Sequence, residues 1–144
     1  MTRPLTAPRL DMTLPTSTTA TALVLLGHGS RDPLWRGPIE NLAARISQRS
    51  PQMAVRCAYL EWSSPDVITA VEELIAQGHS RIRLLPLFFG MGKHAREDLP
   101  ELVHTLRARH PALVLHVLPS AGEQTTVIEL LAELALQEIP SPTS

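Results

Sequence analysis

Two histidines of this chain sit in glycine-bearing segments, His28 in Gly27-His28-Gly29-Ser30-Arg31-Asp32-Pro33 and His94 at the end of Phe89-Gly90-Met91-Gly92-Lys93-His94. Glycines beside a histidine let the backbone turn sharply and leave room for a bulky ligand to approach the imidazole. Neutral imidazole is a good ligand for cobalt, nickel, iron and zinc, and near neutral pH it also takes up a proton. Two imidazoles are too few for a closed structural zinc site, which takes four protein ligands. An open site, where the metal reacts or is handed on, fits them better. Glu61 ends another apolar run and offers a carboxylate, as a third ligand, as a route for protons or as an ordinary solvated group. Lys93, Arg96, Arg31 and Arg36 gather in the same segments, where they suit either a substrate with several carboxylates or a solvated rim. Trp35 and Trp62 lie nearby, placed to cover a flat ligand or to pack beneath a loop.

These segments need a scaffold that brings them together, and the rest of the sequence supplies one. Short apolar runs alternate four times with helical patterns, the signature of a parallel sheet covered by helices on both faces. Strands are expected over residues 22–26, 53–60, 81–88 and 112–118. The first is almost wholly apolar, as a strand buried on both faces should be. Helices are expected over 38–48, with Ile39, Leu42, Ala43 and Ile46 as its apolar stripe, and from Ser64 as N-cap with Pro65 at the first helical position until Gly78. A third helix is announced by Asp98 with Glu101 three residues on, and a fourth spans 123–137, striped by Val127, Leu130, Leu131 and Leu134. Pro86 should end the pairing of the third strand. In such a sheet, ligands bind outside the carboxyl ends of the strands. His28, Glu61 and residues 89–97 all fall there.

Composition narrows the functions open to such a domain. With 144 residues, 44% of them hydrophobic, the chain can bury one core. Thirteen basic and fourteen acidic residues leave a formal charge of -1, with no global field to gather nucleic acid or an anionic membrane. The single cysteine, Cys57, allows no disulfide framework within one chain and reads as a buried, inert thiol. No apolar run approaches the ~20 residues of a membrane span. The expectation is a cytoplasmic protein without nucleic-acid or membrane partners. Residues 1–20, rich in Thr and Pro, read as a disordered tail, 21–139 as the domain, and 140–144 as a frayed end. His79, His104, His110 and His116 are assigned to surface or packing roles.

Gly27 to Pro33, Tyr59 to Glu61 with Pro65 after it, and Pro86 to Pro100 together resemble the small class II chelatases that act on sirohydrochlorin in cobalamin and sirohaem biosynthesis. The resemblance spans residues 21 to 138. It implies a three-layer, flavodoxin-like α/β domain with a mostly parallel sheet of about four strands. It implies insertion of a divalent metal into sirohydrochlorin, with cobalt favoured over iron or nickel, and no organic cofactor. His28 matches the family's first metal ligand and proton acceptor, His94 its second metal ligand, and Glu61 the acidic residue contacting substrate or metal. The backbone of Phe89, Gly90, Met91, Gly92 and Lys93 matches the loop lining the tetrapyrrole. Met91 is a mild departure from the small residue common there. Larger family members hold two such units in one chain, so a homodimer is implied here.

Other readings of the same residues remain. Enzymes that transfer phosphoryl groups through a histidine also place a His-Gly pair after the first strand, but with an arginine before it, where this chain has Gly27. A serine hydrolase would need a G-x-S-x-G elbow, which Gly29-Ser30-Arg31-Asp32 lacks. A metal or tetrapyrrole carrier would use the same ligands without turnover.

Overall fold

The structure, a computed structural model, describes residues 21–142. The expected N-terminal tail and the last two residues lie outside this range. Four strands form one parallel sheet: β1 (Thr21–Gly27), β2 (Ala54–Tyr59), β3 (Arg81–Pro86) and β4 (Val114–Val117), in the order β2-β1-β3-β4. Helices α1 (Gly37–Arg49), α2 (Val67–Ala76), α3 (Lys93–Arg109) and α4 (Thr125–Ala135) follow the strands in turn.

Central strand β1 explains its own composition. Val24 and Leu26 join Val67, Val71 and Leu74 of α2, Ile82 and Leu84 of β3, and Leu99, Val103 and Leu106 of α3 in the larger core cluster. Leu25 points the other way, onto Ile39 of α1 and Tyr59 of β2, with Leu23, Ala43, Ile46 and Leu85 around them. Alternate residues of one strand thus fill cores on opposite sides of the sheet. Full burial of a leucine such as Leu25 or Leu26 contributes roughly 1.5–3 kcal/mol.

Three helix boundaries differ from the sequence expectation, each for a local reason. Helix α2 is capped by Asp66, whose carboxylate accepts the Thr69 N–H at 2.7 Å, not by Ser64. Pro65 is drawn out of the helix because its carbonyl accepts the Tyr59 N–H at 3.0 Å, and the Ser64–Pro65 peptide is cis. Helix α3 begins at Lys93, with an extended Gly92 as its N-cap six residues before the expected cap Asp98. Buried Ala95 anchors this extra turn, and the Arg96 N–H reaches the Gly92 carbonyl at 3.0 Å. Pro100 therefore lies inside the helix, on its exposed side, where it withholds one backbone N–H. Helix α4 starts at Thr125 because Ala121–Glu123 forms a separate 3-10 turn.

Other punctuation follows the sequence. Gly78 takes φ 99° after α2, while His79 and Gly78 N–H groups close on the Leu74 and Ile75 carbonyls at 3.0 and 2.9 Å, a Schellman ending. Strand β3 ends at Pro86 as expected. At the far edge, the Arg107 guanidinium donates to the Leu115 carbonyl of β4 at 2.8 Å. No helix of the described residues is long and apolar enough to cross a membrane.

Candidate functional site

Register places the two best-defined site residues side by side. Gly27 of β1 pairs with Tyr59 of β2, so the chains leaving these strands, carrying His28 and Glu61, emerge together at the carboxyl rim. Backbone bonds continue the pairing past the strand ends: the Leu60 and Glu61 N–H groups both reach the His28 carbonyl, at 3.2 and 3.0 Å. Ser63 fastens the next turn, its hydroxyl donating to the Ser30 carbonyl at 3.0 Å and accepting the Ser30 N–H at 3.2 Å. Gly29 has φ 109°, and a Cβ there would fall on the Glu61 carbonyl oxygen. Only glycine allows this approach.

The outcome is a short bond between His28 Nε2 and Glu61 Oε2, 2.9 Å, with both side chains about half exposed (50% and 51%). The Phe88 ring meets the imidazole edge-on, centroids 6.4 Å apart at 72°. One nitrogen of His28 is therefore oriented by a carboxylate and one side of its ring by an aromatic wall, while half of it faces solvent. Such a pair can share a proton, or hold a cation between nitrogen and oxygen.

His94 occupies the first turn of α3 instead of the loop, and it is exposed. Among the described residues, no three His, Cys, Asp or Glu side chains are gathered as a metal cage would require. The structure thus brings His28 and Glu61 together and leaves His94 outside that pair. Phe89 is 70% exposed, Gly90 and Gly92 are exposed, and Met91 packs against the larger core cluster. Lys93 is exposed at the helix start.

The other cations have internal partners. Arg96 donates to the Met91 carbonyl at 3.0 Å and so holds the loop in shape. Arg31 lies over the Trp62 ring, 3.9 Å from its centroid, and Arg36 forms an i,i+4 pair with Glu40 at 3.8 Å. Trp62 is exposed with φ 68°, a left-handed backbone rare for an aromatic residue. Trp35 packs edge-on against Tyr59, centroids 6.0 Å apart. Burial pushes the Tyr59 phenol above its ordinary value, and Cys57 and Glu40 add to this against the opposing Arg36.

Phe88 and Ser63 are site-shaping residues that the sequence did not single out. Phe88 fell at the last position of the expected third strand, and it lies two residues beyond the stop at Pro86, where its ring meets His28. Ser63 carried no signal beyond its place in a loop. His110, assigned to a surface or packing role, pairs with Glu72 of α2 at 2.9 Å, alongside Arg109 at 3.2 Å.

An open parallel sheet with a histidine and a carboxylate bonded at its carboxyl rim defines an α/β protein whose candidate site lies at that rim. Residues 22–138 match the CbiX family model, and the chain belongs to that family. A sirohydrochlorin cobaltochelatase of Methanocaldococcus jannaschii is 36% identical over 89 residues, 62% of this chain and 62% of that protein. A sirohydrochlorin cobaltochelatase of Methanococcus aeolicus is 32% identical over 82 residues, 57% of each chain. The matched segment thus spans less than two thirds of these relatives. Among solved structures, a chain described as a CbiX protein of cobalamin biosynthesis from Marinobacter aquaeolei VT8 superposes with TM-score 0.69 at 26% identity, covering 80% of this chain and 93% of that one. The Bacillus subtilis sirohydrochlorin chelatase SirB in complex with cobalt shares the fold, with TM-score 0.67 at 22% identity over 78% of this chain and 48% of its own.

Proposed function

We propose that this protein inserts a divalent metal ion into sirohydrochlorin, with His28 and His94 presenting the metal and the His28–Glu61 pair receiving protons. The observation that carries the reading is the 2.9 Å bond from His28 Nε2 to Glu61 Oε2 at the rim of the sheet. Relatives named sirohydrochlorin cobaltochelatase, in a family whose model spans most of the chain, support the choice of substrate.

Insertion balances simply. The ion enters as a dication, two pyrrole N–H bonds break, four ring nitrogens replace the ligands the ion brought, and two protons leave. A half-exposed imidazole bonded to a carboxylate serves this chemistry. Its nitrogen gives a borderline metal a soft enough donor, and the pair passes a proton to water without leaving a buried charge. The exposed loop from Phe89 to Lys93 offers apolar surface and backbone to a flat macrocycle, and Lys93 offers its charge to a peripheral carboxylate. Cobalt is the favoured ion, with ferrous iron and nickel as competitors. A homodimer in the cytoplasm, using no organic cofactor, completes the reading.

The test is anaerobic absorbance spectroscopy of sirohydrochlorin with catalytic amounts of protein and, separately, cobalt, ferrous iron or nickel. Multiple turnovers above the protein-free rate, abolished by His28→Ala, are expected. One bound equivalent without turnover would make the protein a carrier, and no acceleration with any ion would overturn the proposal.

A further inference from the structure

Trp62 stands at the corner of an unusual turn. The Ser63 N–H donates to the Glu61 carbonyl at 2.8 Å, and Trp62 between them takes φ 68°. A three-residue turn of this hand is strained, and glycine or asparagine adopts such a backbone far more easily than tryptophan. Its neighbours lock it in place. Ser63 is tied to the Ser30 backbone through both hydroxyl bonds, at 3.0 and 3.2 Å, and the Gly29 α-carbon walls in the Glu61 carbonyl oxygen.

Core packing does not account for the strain. Trp62 is 57% exposed and belongs to neither core cluster. The one aromatic or cationic partner of its ring among the described residues is Arg31, whose guanidinium lies 3.9 Å from the ring centroid. Trp35, by contrast, packs edge-on against buried Tyr59. Strained backbones persist where the surroundings over-determine them, and they gather at ligand clamps.

Arg31 completes the unit. Stacking uses the face of a guanidinium and leaves its N–H donors free along the edge. The Arg31 guanidinium enters no ion pair among the described residues, and the neighbouring Asp32 carboxylate is taken by the Leu34 N–H at 3.0 Å. A flat aromatic surface and a set of unspent cationic donors thus stand together, directly after Glu61 and close behind His28 in the chain. A flat macrocycle with carboxylates at its periphery matches both halves.

We propose that Trp62 and Arg31 form a grip for the macrocycle: the indole stacks on one of its rings, and the guanidinium, seated on the indole, forks a carboxylate at the edge of that ring. This role rests on the assignment of sirohydrochlorin as substrate and adds residues which that assignment leaves unused. The grip holds the macrocycle beside the His28–Glu61 pair, while the pair itself handles metal and protons.

Absorbance titration of the full chain with sirohydrochlorin, without metal, measures the grip and needs no turnover. Trp62→Leu should weaken binding roughly tenfold or more, and Trp62→Phe, which restores a flat ring, should recover most of the loss. Arg31→Lys keeps the charge but loses the fork, so it should bind about as weakly as Arg31→Gln. Arg31 is exposed, so its variants test the grip even where Trp62→Leu is destabilised. Because the two side chains act together, the double variant should lose less than the product of the single losses. In turnover, KM for sirohydrochlorin should rise while kcat stays within about threefold. The metal concentration giving half-maximal rate should not move, which separates loss of the grip from disturbance of Glu61. Trp35→Phe should bind as wild type does. Unchanged affinity in Trp62→Leu and Arg31→Gln would overturn the grip alone, as would a Trp62→Phe protein no better than Trp62→Leu. A wild-type protein that does not bind sirohydrochlorin would overturn the substrate assignment and the grip together.

Discussion

Gly29 and Glu61 touch through their backbones: the α-carbon of Gly29, at φ 109°, lies where any side chain would strike the Glu61 carbonyl oxygen. Glu61 N–H meanwhile bonds the His28 carbonyl, so one glycine fixes the spacing of the residues on either side of the site. Gly29→Ala should lose about 1–3 kcal/mol from backbone strain alone. Urea denaturation would measure it, and the metal-insertion rate should fall even in protein that remains folded. A stable, fully active alanine variant would refute the close approach.

His28 is half exposed and meets only the edge of the Phe88 ring and the Glu61 carboxylate, so His28→Ala should leave stability within about 1 kcal/mol. Its chelation rate should drop roughly a hundredfold or more, the scale of a lost proton acceptor. Glu61→Gln keeps a hydrogen-bonding partner for the imidazole but removes the charge, and should fall between wild type and His28→Ala. Initial rates at a fixed metal concentration would rank the three proteins.

His94 stands apart from the pair and should act chiefly on metal capture. His94→Ala is expected to raise the metal concentration giving half-maximal rate, with partial recovery at saturating metal. His28→Ala should show no such recovery. Identical metal dependence in His94→Ala and wild type would remove His94 from the metal path.

The Glu72 carboxyl is held below its ordinary value by hydrogen bonds from His110 and then Arg109. A lowered folded-state value means the stabilisation is present above the unfolded carboxylate range, about pH 4, and is lost as pH falls through the folded value. The stability difference between wild type and Glu72→Gln should therefore be largest near neutral pH and shrink on acidification below that range. Denaturant unfolding at neutral and acid pH would show a gap that closes, and a gap that widens would contradict the pairing.

Burial first, and the Glu40 charge second, push the Cys57 thiol above its ordinary value, and its Sγ lies 3.8 Å from the Ile39 carbonyl. The thiol should stay protonated at neutral pH. Reaction with a thiol reagent should be roughly tenfold or more slower in the folded protein than in urea.

Sequence periodicity read the sheet well because β1 carries the apolar run that a doubly covered strand needs, while β3 alternates exposed Arg81 and Arg83 with buried Ile82 and Leu84. Glycine and proline marked the ends of α2 and β3 for equally local reasons. The start of α3 was not legible, since Asp98 and Glu101 imitate a capping box while the true start relies on Gly92, which has no capping side chain. This displaced His94 from a loop to a helix. The His28–Glu61 bond was expected only as a meeting in one crevice. Its geometry depends on Gly29 and Ser63, whose contacts cross 32 and 33 residues and leave no mark on local sequence. The exposure of α4 was equally hidden, because an apolar stripe reads the same whether or not the rest of the chain covers it.

Among the described residues strand β4 has a neighbour on one side only, and on the other Arg107 sits on the Leu115 carbonyl at 2.8 Å. An incoming strand would need that carbonyl to accept its own N–H and would meet a guanidinium instead. The arginine thus acts as a sentry against templated growth: chains are kept from zipping along this margin into an endless ribbon.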